Sequence, residues 1–114
     1  MRLYTSMISA GVLALALSSI VSAAGSTPVE PAQIQAAKTP ADHEAIAKAY
    51  EGEAVDLDRK AEMHERNAET YKGAGKPAVA GQARHCAALA DDLKAAAKES
   101  RTLATLHRDL AKGE

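Results

Sequence analysis

Four histidines, one cysteine and three methionines are the residues of this chain with metal-ligand or nucleophile chemistry. Their spacing is regular. His43 and His64 are 21 residues apart, as are Cys86 and His107. In a helix that is three heptads, so each pair shares one face, about 31 Å apart along the axis. Met63 precedes His64 and His85 precedes Cys86, which brings imidazole, thiolate and thioether donors into two short segments. Zinc and copper(I) take such donors. A metal reading therefore makes His64 and Cys86 the first ligands, His43 and His107 a second layer, and Met63 an auxiliary. The competing reading is structural: neutral histidines in a narrow helical seam hydrogen-bond each other or water and fix register. His85 falls on an outer flank, where it is simply solvated.

Other chemistry fails on spacing. His43-Glu44-Ala45-Ile46-Ala47 and His64-Glu65-Arg66-Asn67-Ala68 each open like the helix of a zinc protease, but alanine stands where the second histidine is required. A lone cysteine excludes an internal disulfide, a four-cysteine zinc site and covalent haem through Cys-x-x-Cys-His. No glycine-rich phosphate loop is present. A thiol enzyme would need a cleft for its substrate, and a narrow seam lined by alanine has none. The chain reads as non-enzymatic, with no cofactor on the primary reading and copper or zinc on the alternative. Cys86 is a ligand, a free thiol or half of a disulfide across a dimer.

Two long helices must position these groups. Thr39 can cap, Pro40 suits the first helical position, and Asp42 sits where a carboxylate closes a capping box. Gly73-Ala74-Gly75-Lys76-Pro77 supplies a stop, a turn and a new start. The spans are 40–72 and 77–112, each about 50 Å long. Gly52 and Gly81 lie inside them at a cost of about 1 kcal/mol each, and the start of the second helix can slip toward Gln82.

The hydrophobic period is the strongest signal. His43, Ala47, Tyr50, Ala54, Leu57, Ala61, His64, Ala68 and Tyr71 alternate steps of four and three. So do Val79, Ala83, Cys86, Ala90, Leu93, Ala97, Ser100, Ala104, His107 and Ala111. This is a heptad seam with one position always alanine, which brings the helix axes to the close end of the usual 8–10 Å. The fold class is all-α: an antiparallel two-helix coiled-coil hairpin with an alanine seam. Folding back near residue 75 sets His43 level with His107, His64 with Cys86, Leu57 with Leu93, and Tyr50 with Ser100. The same register puts Glu44, Glu51 and Asp58 opposite Arg108, Arg101 and Lys94. Exposed pairs are individually weak, yet together they select one register.

A second stripe is left over. Leu89, Ala96, Leu103 and Leu110 repeat every seven residues beside the seam, with Leu106 near them and Ile46 across on the first helix. An unpartnered apolar stripe seeks a partner. Pairing of two hairpins into a four-helix bundle is the simplest solution, in a homodimer or with another envelope protein. The bland reading is that the leucines only widen the seam within one chain. If hairpins met with their loops at the same end, His64 and Cys86 of each would make a two-His, two-Cys set.

The N-terminal region reads as an address. Arg2 followed by an apolar run from Met7 to Val21, then Val21-Ser22-Ala23, matches a secretory signal peptide at 1–23, cleaved after Ala23 or, as second choice, Ala24. The apolar run is short for a span, and no stable membrane insertion is expected after cleavage. No cysteine follows for lipid attachment, so a periplasmic or secreted protein is expected. Residues 24–38, with Pro28 and Pro31, read as a flexible leader, and 39–114 as the hairpin. Whole-chain composition agrees. At 114 residues there is one domain at most, and 14 basic against 15 acidic side chains lack the footprint of a nucleic-acid binder. The 46% hydrophobic share is carried mostly by alanine and leucine, which favour helix and pack thinly.

The block His43-Glu-x-x-Ala-x-x-Tyr50 recurs as His64-Glu-x-x-Ala-x-x-Tyr71, and its phase continues through Cys86 to Leu93 and His107 to Ala111. Such repetition keeps like side chains on one face and is compatible with duplication of a helical unit. With its Thr39-Pro40-Ala41-Asp42-His43 start, Met63-His64-Glu65-Arg66 and Arg84-His85-Cys86 segments and late Leu106-His107-Arg108 stretch, the chain resembles small Ala-rich exported proteins of proteobacteria. The resemblance covers roughly residues 39–111. It implies an exported compartment and helical form, and no activity. In size, export and histidine-bearing helices the chain is also loosely similar to small periplasmic metal-binding helical bundles, which carry more histidine.

Overall fold

The computed structural model describes residues 25–113. The expected signal segment lies outside them. Regular structure among the described residues is entirely helical: α1 (Pro31–Ala36), α2 (Pro40–Gly73), a 3₁₀ turn (Pro77–Val79) and α3 (Ala80–Lys112). The long helices α2 and α3 pack against each other. None is long and apolar enough to cross a membrane.

The start of α2 follows from its capping chemistry. The Thr39 hydroxyl accepts from the Asp42 amide at 3.1 Å, and the Asp42 carboxylate accepts from the Thr39 and Lys38 amides at 2.9 and 3.0 Å. Those donors, Lys38 first, hold the Asp42 carboxyl below its ordinary 3.8. At the other end α2 runs through Gly73, and the chain turns at Gly75, whose φ of 61° is the left-handed conformation glycine tolerates. The second long helix opens within the expected range, between Pro77 and Gln82. Pro77 starts a single 3₁₀ turn, Val79 sits at φ −108° and ψ 5°, and α-helix begins only at Ala80. The helix closes on Gly113, again left-handed at φ 83°, whose amide reaches the Asp109 and Leu110 carbonyls.

Alanine forms the core. Ala47, Ala54, Ala61 and Ala68 of α2 and Ala83, Ala90, Ala97 and Ala104 of α3 are all buried, and Ser100 joins them. The intervening seam residues His43, Tyr50, Leu57, His64, Cys86, Leu93 and His107 are half-buried. Each alanine methyl contributes about 0.8 kcal/mol by area, so the interface is thin and depends on close backbone approach. Cross-helix partners rise in number along α2 as they fall along α3, as in His43 with His107 and Glu65 with Lys94.

One expectation changes here. Ile46, expected beside the exposed leucines, is only 4% exposed and belongs to the chain's own core. Within 24–38, read as a flexible leader, lies the short α1, whose Glu30 amide donates to the Gln33 side chain at 2.7 Å, and residues ahead of it lie against α2. The Ser26 amide donates to the Asp56 carboxylate. A Cβ on Gly52 would stand 3.2 Å from the Ser26 Cβ, so the helix-interior glycine marks a close approach by this segment.

The close seam makes a direct prediction. Ala97→Leu is expected to lose about 1–3 kcal/mol by overpacking, while Ala95→Leu on the exposed face changes stability by less than about 0.5 kcal/mol. Urea unfolding followed by circular dichroism separates the two, and a neutral Ala97→Leu would mean the helices are not close-packed there.

Candidate functional site: a histidine pair at the helix ends

His43 stands in the first turn of α2 and His107 in the last two turns of α3, at the end of the helix pair remote from Gly75. Their Nδ1 atoms are 3.2 Å apart, and the rings tilt by 31° with centroids 5.4 Å apart. One Nδ1 must carry the proton and donate while the other accepts. On its other side the His107 ring stacks on Tyr50, at 5.8 Å and 29°. His107 therefore lies between His43 and Tyr50. Burial, and then the neighbouring His43, push its pKa below the ordinary 6.5, so its neutral form is favoured.

The expected register is corrected in detail. Tyr50, expected level with Ser100, instead meets His107, and the Ser100 hydroxyl donates to Glu53 at 3.3 Å. The flanking charges pair one heptad further along α2 than expected: Arg108 with Glu51 at 2.6 Å, Arg101 with Asp58, and Lys94 with Glu65. The expected Glu44–Arg108 contact survives as a secondary one at 3.7 Å. The cause is side-chain direction. Helix side chains lean toward their own N-terminus, so across two oppositely running helices they lean toward each other and bridge diagonally. Arg108 thus clamps the end of α3 onto two carboxylates of α2, beside the histidines. Its hydrogen bond holds Glu51 below the ordinary 4.5.

The inner candidates show no direct contact of the His43–His107 kind among the described residues. Cys86 is a half-buried free thiol, and among the described residues no hydrogen bond joins it to His64. The His64 Nδ1 is buried without a hydrogen-bond partner. Met63 is 44% exposed and His85 is exposed. Among the described residues no group of three or more His, Cys, Asp or Glu side chains converges as a metal cage. Of the candidate layers, geometry assembles the outer one, His43 with His107. Sequence spacing missed Tyr50 as its third ring and Arg108 as its clamp. The lean of the side chains, applied to the same heptads, would have found both.

A consequence can be measured in acid. Because Glu51 is held below 4.5 in the folded chain, the unfolded chain protonates first as pH falls. The contribution of the Glu51–Arg108 pair is then fully present above about pH 4.5 and disappears as pH drops through the folded value. Glu51→Gln is expected to be less stable than wild type near pH 6, with the gap closing toward about pH 3. Equal thermal midpoints near pH 6 would show that the clamp contributes nothing.

No family model, no curated protein and no solved structure matches the chain.

Proposed function

We propose that the protein is a non-enzymatic, exported helical hairpin that acts by self-association, two antiparallel hairpins joining through their α3 helices into a four-helix bundle. One observation carries this reading. Leu89, Leu103, Leu106 and Leu110 are 43%, 39%, 54% and 51% exposed along a single flank of α3. On the opposite flank, the Glu65–Lys94, Asp58–Arg101 and Glu51–Arg108 bridges link the helices of one chain. The two edges of α3 therefore differ in kind: one is satisfied within the chain, and the other offers leucine to a partner.

A second copy fits that flank by symmetry. A twofold axis across α3 between Glu99 and Ser100 sets Leu89 against Leu110 of the second copy and Leu103 against Ala96, so that apolar side chains face each other in these rows. The same face meets itself, as a closed dimer requires. Export to the periplasm or medium, with cleavage near Ala23, rests on the N-terminal sequence pattern. In that compartment the partner is a like copy, and an unlike envelope protein is the outcome that would replace it.

Sedimentation equilibrium of the mature chain tests this. A dimer is expected for wild type, and a helical monomer for Leu103→Asp, whose exposed position leaves the fold of one chain intact. A monomeric wild type, or a dimer untouched by both Leu103→Asp and Leu106→Asp, would contradict self-association through this face.

A further inference from the structure

We propose that His43 and His107 form a two-nitrogen clip for a borderline divalent cation of the zinc class, which would fasten the end of α3 to the start of α2. The separation of the donors supports it. Two nitrogens held at 2.0–2.1 Å on a tetrahedral ion lie about 3.3–3.4 Å apart, and the two Nδ1 atoms are already 3.2 Å apart on separate helices. Rotation of both rings, which turns each Nδ1 lone pair off the line between them, converts the shared-proton contact into a bite. Thr39 caps the helix that carries His43 and Arg108 ties the helix that carries His107 to it, which keeps the two donors close.

The surroundings favour the exchange of a proton for a metal. Zinc takes neutral imidazole, and the Nδ1–Nδ1 contact already requires one unprotonated nitrogen at the site. The nearest cation, Arg108, is offset by two carboxylates, Glu44 at 3.7 Å and Glu51 at 2.6 Å, so the three leave a surplus negative charge on that edge. The C-terminal end of α3 contributes a negative dipole end near His107, against the positive end of α2 near His43, and the two roughly cancel. Tyr50 stacks on one face of the His107 ring and restrains its orientation. Among the described residues no third protein ligand converges, so the remaining coordination positions fall to water or small anions. The affinity is that of an open two-ligand site, and its effect is to couple ion concentration to the pairing of the helix ends.

The mature chain is titrated with zinc sulfate in a buffer that does not chelate, with binding read by calorimetry and stability by thermal unfolding. One zinc per chain and a raised thermal midpoint are expected in wild type. Both are expected to vanish in His43→Ala and in His107→Ala, and to persist in His64→Ala and Cys86→Ser. His43→Gln and His107→Gln, which keep polar side chains at both positions, must also lose zinc while the metal-free circular dichroism stays helical. The same zinc response in Leu103→Asp separates this site from the dimer face. No zinc uptake by wild type, uptake unaffected by the His43 and His107 variants, or uptake abolished by His64→Ala or Cys86→Ser would overturn the clip.

Discussion

Everything else in this molecule depends on how closely two helices can approach when every seventh residue on each is alanine. Methyl groups at Ala47, Ala54, Ala61 and Ala68 meet a matching row from Ala83 to Ala104, and the larger seam residues between them stay only half-buried. The attraction per layer is small, so the pairing relies on many near-identical layers and on correct register rather than on a few large side chains. Leu57 and Leu93 lie half-buried between the alanine layers, whereas Leu89, Leu103 and Leu110 fall at the heptad position beside the seam and are left on the flank, half in water.

Close approach also explains the polar groups. With the axes near, imidazoles on facing helices come within hydrogen-bonding distance, which is why His43 and His107 touch directly and Tyr50 can cover one of them. On the charged edge, opposed helix directions make long side chains reach diagonally, so Arg108 spans from Glu44 to Glu51 and seals the end next to the histidines. The N-terminal segment adds a third, lighter contact: Ser26 passes Gly52 and donates to Asp56, a place where a larger residue in the helix would push it away. Asp56 is held below its ordinary 3.8 first by that Ser26 amide and also by Arg59.

Much of the helical framework was legible in the sequence because it is written in local and periodic signals. The Thr39 cap, the glycine turn and the alanine heptads each specify a boundary or a face without knowledge of the partner, and the observed α2 differs from the expected span by a single residue. What escaped was three-dimensional offset. Equal counting from the turn placed His43 level with His107 alone and Glu51 opposite Arg101, whereas the lean of the side chains carries the contacts diagonally, by up to a heptad. Ile46 escaped for another reason. Its heptad position touches both the seam and the flank, and only packing decides that it is buried. The contact of Ser26 with Asp56 lacked any sequence signal beyond Gly52, whose place inside a helix had no local cause.

The central claim is that the leucine flank of α3, left beside the alanine seam, meets its own image in a second chain. Inter-chain distances by pulsed electron paramagnetic resonance test it most directly, with spin labels at Glu99→Cys and, separately, Arg84→Cys in a Cys86→Ser background. Facing helices about 8–10 Å apart and a twofold axis beside Glu99 predict a short distance at that position, below about 25 Å. Labels at Arg84 are then expected roughly 45 Å apart along the helices. No dipolar coupling between chains at either site, or a shorter distance at Arg84 than at Glu99, would contradict the account.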